Sequence, residues 1–192
     1  GTPAYHNPRM RADYASGRGH NVLQLGTLLP PKQLMDYVVQ PGWQKPHALA
    51  PIKVRRLDRH GGEIAVDGTA GYDGLEKWIR RVRWNAAQLR VADQVILPDG
   101  KPQEVLFRWH LGTSRTPAVR SAGTTASVSW SAIRLEISAD TPLAIRCEAM
   151  PDHTMAFREW DDKRPDHLHT CLVIQTAGKV GSCRIKIAAE RG

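Results

Sequence analysis

The 192-residue sequence has little cysteine and no long apolar segment. None of its three cysteines lies in a CxxC spacing, so a cysteine-based metal site has no support. No apolar run approaches the length that spans a bilayer, which predicts no membrane span. The sequence also lacks a Gly-x-Ser-x-Gly nucleophile motif, a phosphate-binding loop and a dinucleotide-binding fingerprint. The corresponding hydrolases and nucleotide-dependent enzymes are therefore disfavoured.

Acidic residues are outnumbered by basic ones. Lysine and arginine total 27, aspartate and glutamate total 19, and the formal net charge is +8. Such a balance favours a polyanionic partner, such as nucleic acid, an anionic membrane surface or an acidic polysaccharide, although it also fits a protein that is simply soluble. The basic residues are spread along the chain and form none of the common nucleic-acid-binding motifs, so we predict no nucleic-acid partner.

Apolar residues recur at every second position in several segments. The pattern is clearest over residues 133–138, 143–148 and 183–187, which indicates strands with one buried and one exposed face. Further strands are predicted over 78–84, 89–96 and 105–111, with shorter ones over 20–25 and 62–66. Hydrophobic residues make up 41% of the chain, enough for a sizeable core. The pattern predicts an all-β fold, an antiparallel β-sandwich of two sheets with few short helices.

Turn and loop residues separate these strands. Pro98-Asp99-Gly100 has the chemistry of a hairpin connection between the strands on either side. The Ser-, Thr- and Gly-rich stretch 112–125 is predicted to be one long loop, and the main helical segment is predicted over 31–39. With no internal repeat or linker, residues 1–192 are interpreted as a single domain.

The three cysteines all lie in apolar, strand-like stretches. Cys171 and Cys183 fall on segments that could be neighbouring strands and could form a disulfide. Three buried free thiols, including Cys147, are the other interpretation. The count of cysteines does not decide the redox compartment.

Several motifs occur in a recognisable order along the chain. The motifs are Gly1-Thr2-Pro3-Ala4-Tyr5, Gly19-His20-Asn21-Val22-Leu23, Arg80-Arg81-Val82-Arg83-Trp84, Leu89-Arg90-Val91-Ala92-Asp93 and Val105-Leu106-Phe107-Arg108-Trp109-His110-Leu111. Over about residues 1–112 this order resembles the C-terminal part of heparinase II/III-like polysaccharide lyases. Val22 departs from the pattern, which more often has threonine there.

This resemblance implies an activity and a partner. The family cleaves uronic-acid polysaccharides by β-elimination, and most of its catalytic groups come from an upstream α/α toroid that these residues do not include. We therefore expect a C-terminal β-sandwich domain of a longer, periplasmic or secreted lyase, inactive by itself, whose partners are that toroid and an acidic, uronate-containing polysaccharide. The polysaccharide is not specified, and heparan sulfate and alginate are both open. The alternative is a non-catalytic module that binds acidic glycans or has a structural role.

The same resemblance nominates site residues. His20 corresponds to a metal ligand, which would bind zinc or another divalent cation together with an upstream His and Asp; a histidine hydrogen-bonded within a sheet is the alternative. Tyr5 corresponds to a tyrosine of the catalytic cleft, although a loop tyrosine packing on the sheet edge is also possible. Arg11 and Arg18 are predicted to bind substrate carboxylates, because a guanidinium grips a carboxylate with two hydrogen bonds, or else to form a solvated basic loop.

The other histidines and the tryptophans each have a structural interpretation beside a functional one. His167 and His169 lie on one face of a predicted strand, where a metal could use both. The sequence places no third ligand with them, so surface histidines are the favoured interpretation. His110 is interpreted as a residue at the edge of the core. The six tryptophans could stack on sugar rings, but most are expected in the core.

Overall fold

The architecture was obtained from a computed structural model, which describes residues 21–26, 50–72, 75–151 and 168–191. The described part contains twelve β-strands and a single turn of 3-10 helix, Thr69–Gly71. The strands are β1 Leu23–Leu25, β2 Ile52–Asp58, β3 Gly61–Asp67, β4 Lys77–Asn85, β5 Gln88–Ile96, β6 Val105–Leu111, β7 Ala118–Ala122, β8 Thr125–Trp130, β9 Ile133–Ala139, β10 Leu143–Pro151, β11 Leu168–Thr176 and β12 Ser182–Arg191.

The strands form two antiparallel sheets. A four-stranded sheet has the order β1-β6-β11-β10, and an eight-stranded sheet has the order β2-β3-β4-β5-β12-β9-β8-β7. The predicted all-β fold class is therefore confirmed, and the two sheets are consistent with a β-sandwich. The segment predicted to be helical, 31–39, lies outside the described residues.

The eight-stranded sheet is assembled from three separate stretches of chain. Strands β2 to β5 form one meander and β7 to β9 form a second. β12, the last described strand, lies between them and pairs antiparallel with β5 on one side and β9 on the other. Among the described strands, β12 is thus the one that joins the two meanders.

Period-two alternation explains which face of this sheet is buried. Val91 and Val95 of β5 are buried, and they lie directly opposite Ile187 and Cys183 of β12, which are buried too. Directly opposed residues in an antiparallel pair point to the same side of the sheet, so these side chains form one apolar face. The intervening residues, such as Lys186, are exposed and form the polar face.

The four-stranded sheet has a core of its own. Phe107 of β6 and Leu172 of β11 are fully buried, and so is Ile174. A cluster of buried residues consists of Leu106, Met150, Cys171 and Val173. Both odd and even positions of β6 and β11 are therefore buried, which agrees with their nearly continuous apolar sequence.

A buried ionic network crosses the apolar face of the eight-stranded sheet. Asp93 is only 4% exposed. It accepts hydrogen bonds from Trp78 Nε1 at 2.8 Å and from Arg80, with Nε at 2.8 Å and Nη2 at 3.1 Å. The Arg80 guanidinium also lies 5.3 Å from the centre of the Trp78 ring. Because the carboxylate and the guanidinium satisfy one another, both charges can be kept away from water.

The four described tryptophans are less buried than predicted. Trp78 is buried, whereas Trp84, Trp109 and Trp130 are half-buried, and the other two lie outside the described residues. Trp84 packs against Gly62, its neighbour in register on β3. A Cβ atom at Gly62 would come within 2.3 Å of the Trp84 ring, so the glycine makes room for the indole.

Two turn predictions are corrected by the structure. The stretch 112–125 is not one loop, because it contains β7 and the turn of a β7–β8 hairpin in which Gly123 has φ +58°. Small polar residues can occupy an edge strand whose faces are mostly exposed, so composition alone was misleading. Pro98-Asp99-Gly100 does form a turn, with Lys101 N–H donating to Pro98 O at 3.1 Å. It does not connect a hairpin, since β5 and β6 belong to different sheets.

All three cysteines are free thiols, as one of the two interpretations predicted. Cys171 and Cys183 are buried, and Cys147 is half-buried. Burial raises the pKa of the Cys183 thiol to about 12, with a further contribution from the nearby carboxylates of Asp140 and Asp93. At neutral pH this thiol is therefore protonated and unreactive.

The chain divides into two compact units. One contains residues 106–116 and 146–174 with most of the four-stranded sheet, and the other contains the whole eight-stranded sheet. This division does not test the interpretation of 1–192 as one domain, which stays a prediction. Within the described ranges, no helix has the length and hydropathy needed to cross a membrane.

A matched pair of isoleucines tests the assignment of the buried face. Ile185 of β12 is 1% exposed, whereas Ile52 of the edge strand β2 is 64% exposed. We expect Ile185→Ala to lower the free energy of unfolding by about 2–5 kcal/mol, because it removes a buried side chain and leaves a cavity. Ile52→Ala should change it by roughly 0.5 kcal/mol or less. Denaturant unfolding measures both, and equal losses would contradict the assignment.

Candidate functional site

The residues nominated from the sequence as catalytic, substrate-binding and metal-binding lie outside the described part of the chain. These residues are Tyr5, Arg11, Arg18 and His20. Their roles stay predictions. The described residues that follow His20 in the chain do, however, lead directly to a cluster of polar side chains on the four-stranded sheet.

Asn21 links the short strand β1 to β6. Its side-chain Oδ1 accepts a hydrogen bond from the backbone N–H of His110 at 2.7 Å. The backbone N–H of Arg108 donates to Val22 O at 3.4 Å, one residue further along. The segment that follows His20 is therefore held at the edge of the four-stranded sheet, beside the end of β6 that carries His110.

His110 and His169 form a close imidazole pair on adjacent strands. His110 Nδ1 lies 2.6 Å from His169 Nε2, and the ring centres are 4.9 Å apart. One nitrogen must donate and the other accept, so the pair fixes complementary tautomers. Both side chains are half-buried, which corrects the interpretation of His169 as a surface residue. Within the described ranges, no group of three or more His, Cys, Asp or Glu side chains could hold a metal.

Ion pairs among Arg108, Glu148 and Arg146, here called the charged ladder, continue from His110 along the same sheet. Arg108 lies two residues before His110 on β6, so the two side chains share one face of the sheet. Arg108 Nη1 donates to Glu148 Oε2 on β10 at 2.8 Å, and Arg146 Nε donates to Glu148 Oε1 at 3.0 Å. The Arg108 side chain is 8% exposed and that of Glu148 is 23% exposed. One carboxylate thus meets two guanidinium groups, and the cluster has an excess of positive charge.

Electrostatics keep this carboxylate ionised. Burial acts to raise the pKa of Glu148, but the hydrogen bonds and positive charges of Arg108 and Arg146 outweigh it and hold the pKa below its ordinary value. At the neighbouring Cys171, the effect of burial on the pKa exceeds that of Arg108. Burial raises the pKa of its thiol, and the charge and hydrogen bond of Arg108 only partly offset the effect. Cys171 is therefore a neutral packing residue and not a nucleophile.

One donor of Arg108 remains available. Its Nε is buried and has no hydrogen-bond partner among the described residues. A buried donor without an acceptor costs roughly 1–3 kcal/mol, so a further acceptor is expected at this point. A carboxylate or hydroxyl group of a ligand, or a side chain outside the described ranges, would satisfy it. The arrangement can hold an anion or a polar group, but it contains no described nucleophile.

Sequence reasoning missed this cluster. The two-residue spacing of Arg108 and His110 is enough to place both side chains on one face of a strand. What the sequence does not contain is the register between β6, β10 and β11, which are far apart along the chain. That register alone brings His169 to His110 and Glu148 to Arg108.

Replacing Glu148 tests the ladder. We expect Glu148→Gln to destabilise the protein by about 1–3 kcal/mol near neutral pH, because it leaves the buried guanidinium of Arg108 without a counter-charge. The pKa of Glu148 is lower in the folded protein than its ordinary value. The ionised carboxylate therefore stabilises the fold at any pH above the ordinary pKa, and this stabilisation is lost as the pH falls through the folded-state pKa. The variant should therefore lose less stability on acidification than the wild type.

The control is Glu136→Gln, which removes the carboxylate of an exposed ion pair with Arg134. An exposed pair contributes little, so this change should cost about 0–1 kcal/mol. Thermal melts from pH 7 to pH 3 measure both variants. Identical acid dependence in wild type and Glu148→Gln would refute the assigned role.

Solved structures of a heparan sulfate lyase and of a heparinase III have a similar fold. A mutant heparan sulfate lyase from Pedobacter heparinus has a TM-score of 0.61 at 14% identity, covering 100% of this chain and 28% of its own. A heparinase III structure has a TM-score of 0.56 at 13% identity, covering 90% of this chain and 23% of its own. The chain thus spans about a quarter of the length of these proteins. At such identities the similarity establishes the fold alone.

The sequence itself was also compared with known proteins. No curated protein sequence matches it. The family described as "Heparinase II/III-like, C-terminal" does match, over residues 1–163, which is most of the chain. The matched region includes β1 to β10 and with them Asn21, His110, Arg108 and Glu148. The resemblance predicted from the ordered motifs is therefore confirmed, and the chain belongs to the heparinase II/III-like family as its C-terminal part.

Proposed function

We propose that this chain is the C-terminal β-sheet portion of a polysaccharide lyase that acts by β-elimination on a uronic-acid polysaccharide. The observation that carries the proposal is the family match over residues 1–163. The similarity of the fold to a heparan sulfate lyase supports it. The formal net charge of +8 is also favourable for an acidic polymer.

The chemistry of β-elimination assigns tasks to the nominated residues. The reaction removes the C5 proton beside the uronate carboxylate and breaks the 4-O-glycosidic bond. Negative charge accumulates on the carboxylate, so a cationic group that binds it there stabilises the transition state. Arg11 and Arg18 would bind the carboxylate, and Tyr5 would exchange a proton with the reacting sugar. The remaining catalytic groups would come from an upstream toroid.

The described residues support a role for this part of the chain in lining a cleft. Asn21, which follows His20, is hydrogen-bonded to the backbone of His110. The neighbouring guanidinium of Arg108 is buried, and its Nε has no hydrogen-bond partner among the described residues. A polar and partly cationic edge of this kind is suited to contact with an anionic sugar, whereas an apolar edge would not be.

A metal is a separate part of the proposal. Imidazole suits zinc, and His20 would supply one ligand, with a His and an Asp from the upstream part of the protein. The described residues do not complete such a site, since His110 and His169 contact each other and a third ligand is not among the residues that the structure describes. When bound, the metal would supply a cross-link that braces the cleft wall. We assign no step of proton transfer to it.

The proposal also covers location. A lyase that degrades extracellular acidic polysaccharides would work in the periplasm or outside the cell, and we propose that compartment for this protein. The free state of Cys171 and Cys183 neither supports nor opposes it, because buried thiols are stable in either redox environment.

Elimination activity tests the proposed function. The protein that joins this chain to its upstream region should produce unsaturated uronide from an acidic polysaccharide, followed as new ultraviolet absorbance. The 192 residues alone should produce none, because most catalytic groups are upstream. A panel of heparan sulfate, alginate and a neutral glucan identifies the substrate. Robust product from the 192 residues alone, or none from the joined protein on any acidic substrate, would overturn the proposal.

Tyr5→Phe tests the catalytic assignment within the same assay. Removing the phenolic hydroxyl should lower kcat roughly 10²- to 10⁴-fold with a smaller change in KM, since general acid–base groups contribute on that scale. Tyr14→Phe is the matched control and should retain activity. An active Tyr5→Phe enzyme would favour the alternative of a tyrosine that packs on the sheet edge.

His20→Ala tests the metal. In the joined protein we expect loss of stoichiometric zinc or another divalent metal, together with a lower Tm, because binding energy from a structural metal adds to folding stability. In the 192-residue chain the same change should have little effect, since one imidazole cannot hold the metal tightly. Elemental analysis decides the matter, and equal metal content in both joined proteins would rule out ligation by His20.

A further inference from the structure

A regular row of basic residues crosses the exposed face of the eight-stranded sheet. The register places Lys53 of β2 opposite Ala65 of β3, and Ala65 opposite Arg81 of β4. Arg81 is opposite Ala92 of β5, and Ala92 is opposite Lys186 of β12. A cation therefore occurs on every second strand, and an alanine occurs between each two cations.

The spacing of this row follows from sheet geometry. Neighbouring strands lie about 4.7–4.9 Å apart, so cations on alternate strands are roughly 10 Å apart at their backbones. The alanines are short, so no long side chain stands between neighbouring cations of the row. Beyond Lys186 the row continues with the hydroxyl residues Ser138 of β9 and Thr125 of β8.

The three cations of the row are exposed and uncompensated. Lys53, Arg81 and Lys186 are all exposed. None of them forms an ion pair with a carboxylate in the part of the chain that the structure describes. Like charges that lie along one face without a counter-ion repel one another, and an anion bound along the row would relieve that repulsion.

The adjacent row strengthens the positive character. Arg83 and Arg90 lie directly opposite one another on β4 and β5, an arrangement that is destabilising without an anion nearby. Glu63 compensates Arg83 at 2.7 Å, while Arg90 donates to the neutral side chain of Gln88. The second carboxylate at this place, Glu136, is paired with Arg134. The acidic side chains are thus already engaged.

These rows border an open concavity of about 490 Å³ on the same face. Its charged lining residues are Arg81, Arg83, Arg90, Lys186, Glu63 and Glu136. Small residues such as Ala92, Ala188 and Ser138 form its floor. The described lining contains no aromatic side chain, so it offers no platform on which nucleic-acid bases would stack. A flexible polyanion that binds through its charges, without base stacking, fits this surface better than a single-stranded nucleic acid.

We propose that the exposed face of the eight-stranded sheet, along the Lys53–Arg81–Lys186 row, is a binding track for a linear acidic polysaccharide. A separation of two strands is comparable to the length of two linked sugar rings, so a chain with an acidic group on alternate sugars would present charges in step with the cations. Ser138 would donate a hydrogen bond to a sugar hydroxyl at the end of the row, and Thr125, whose hydroxyl donates to Ala122 O, would accept one. The track would hold a polymer chain without any chemical step.

The inference takes its polymer class from the proposed function, but it concerns residues that take no part in the proposed elimination. The probes are immobilised heparin, a polyuronate, neutral dextran and single-stranded DNA. The test variant is Lys53→Ala/Arg81→Ala/Lys186→Ala, and the matched control is Lys101→Ala/Arg115→Ala/Lys179→Ala, whose three cations are also exposed. Each variant removes three positive charges from a formal net charge of +8. Circular dichroism and Tm confirm that both variants fold.

The wild type should bind the acidic polysaccharides and not dextran, and added salt should weaken binding. The row variant should bind about tenfold or more weakly, while the control stays within about threefold of wild type. Equal binding by row variant and wild type, or equal loss in both variants, would overturn the track. Tighter binding of single-stranded DNA than of either polysaccharide would overturn its assignment to glycans.

Elimination activity, measured beside polysaccharide binding, distinguishes the lyase proposal from the track proposal. The row variant of the joined protein should lose polysaccharide binding but keep its kcat on a short acidic oligosaccharide. That result supports a track outside the reacting groups. If the wild type binds no acidic polysaccharide, the track is wrong, even where the joined protein still yields unsaturated product. If no elimination occurs but the row variant alone loses binding, the lyase proposal fails and the track stands.

Discussion

The pairing of β12 with both β5 and β9 is the interaction on which the eight-stranded sheet depends. Each meander has backbone N–H and C=O groups along one edge, and β12 satisfies both edges at once. Its buried Cys183, Ile185 and Ile187 continue the apolar face from one meander into the other. Without β12 the two meanders would each keep an unpaired inner edge and half of an apolar face.

Buried charges in both sheets are likewise paired, because a buried polar group needs a hydrogen-bond partner. On the eight-stranded sheet Asp93 is held by Trp78 and Arg80, and on the four-stranded sheet Arg108 is held by Glu148. Such pairs cost desolvation and add less stability than apolar packing, but they are sensitive to register, because a shift of one residue would separate the partners. They therefore favour one arrangement of the strands over its neighbours.

Much of the fold was predictable because alternation is a local property. The bounds of β4, β5 and β9 agree with the prediction to within one residue at each end, since each strand carries its own pattern of buried and exposed residues. Those of β6 agree because it is a nearly continuous apolar run. The hairpin of β7 and β8 was missed for the opposite reason. Its first strand is mostly exposed at an edge, so its sequence did not need to alternate.

The candidate site was predictable only in part. His20, Tyr5, Arg11 and Arg18 were nominated from a resemblance to a family, and the family itself is confirmed by the match over residues 1–163. Their side chains lie outside the described residues, so their roles rest on that relation. The cluster of His110, His169, Arg108 and Glu148 was not foreseen as a cluster.

By itself the sequence determined the all-β class, most strand positions, the excess of positive charge and the family. Each of these is a property of composition or of short segments, and each can be read without knowing which strands are neighbours. Only the tertiary structure decided which strands pair. That pairing brings His169 into contact with His110, and it places Lys186 two strands away from Arg81. Residues far apart in the chain become neighbours in this way because the register of backbone hydrogen bonds aligns their strands.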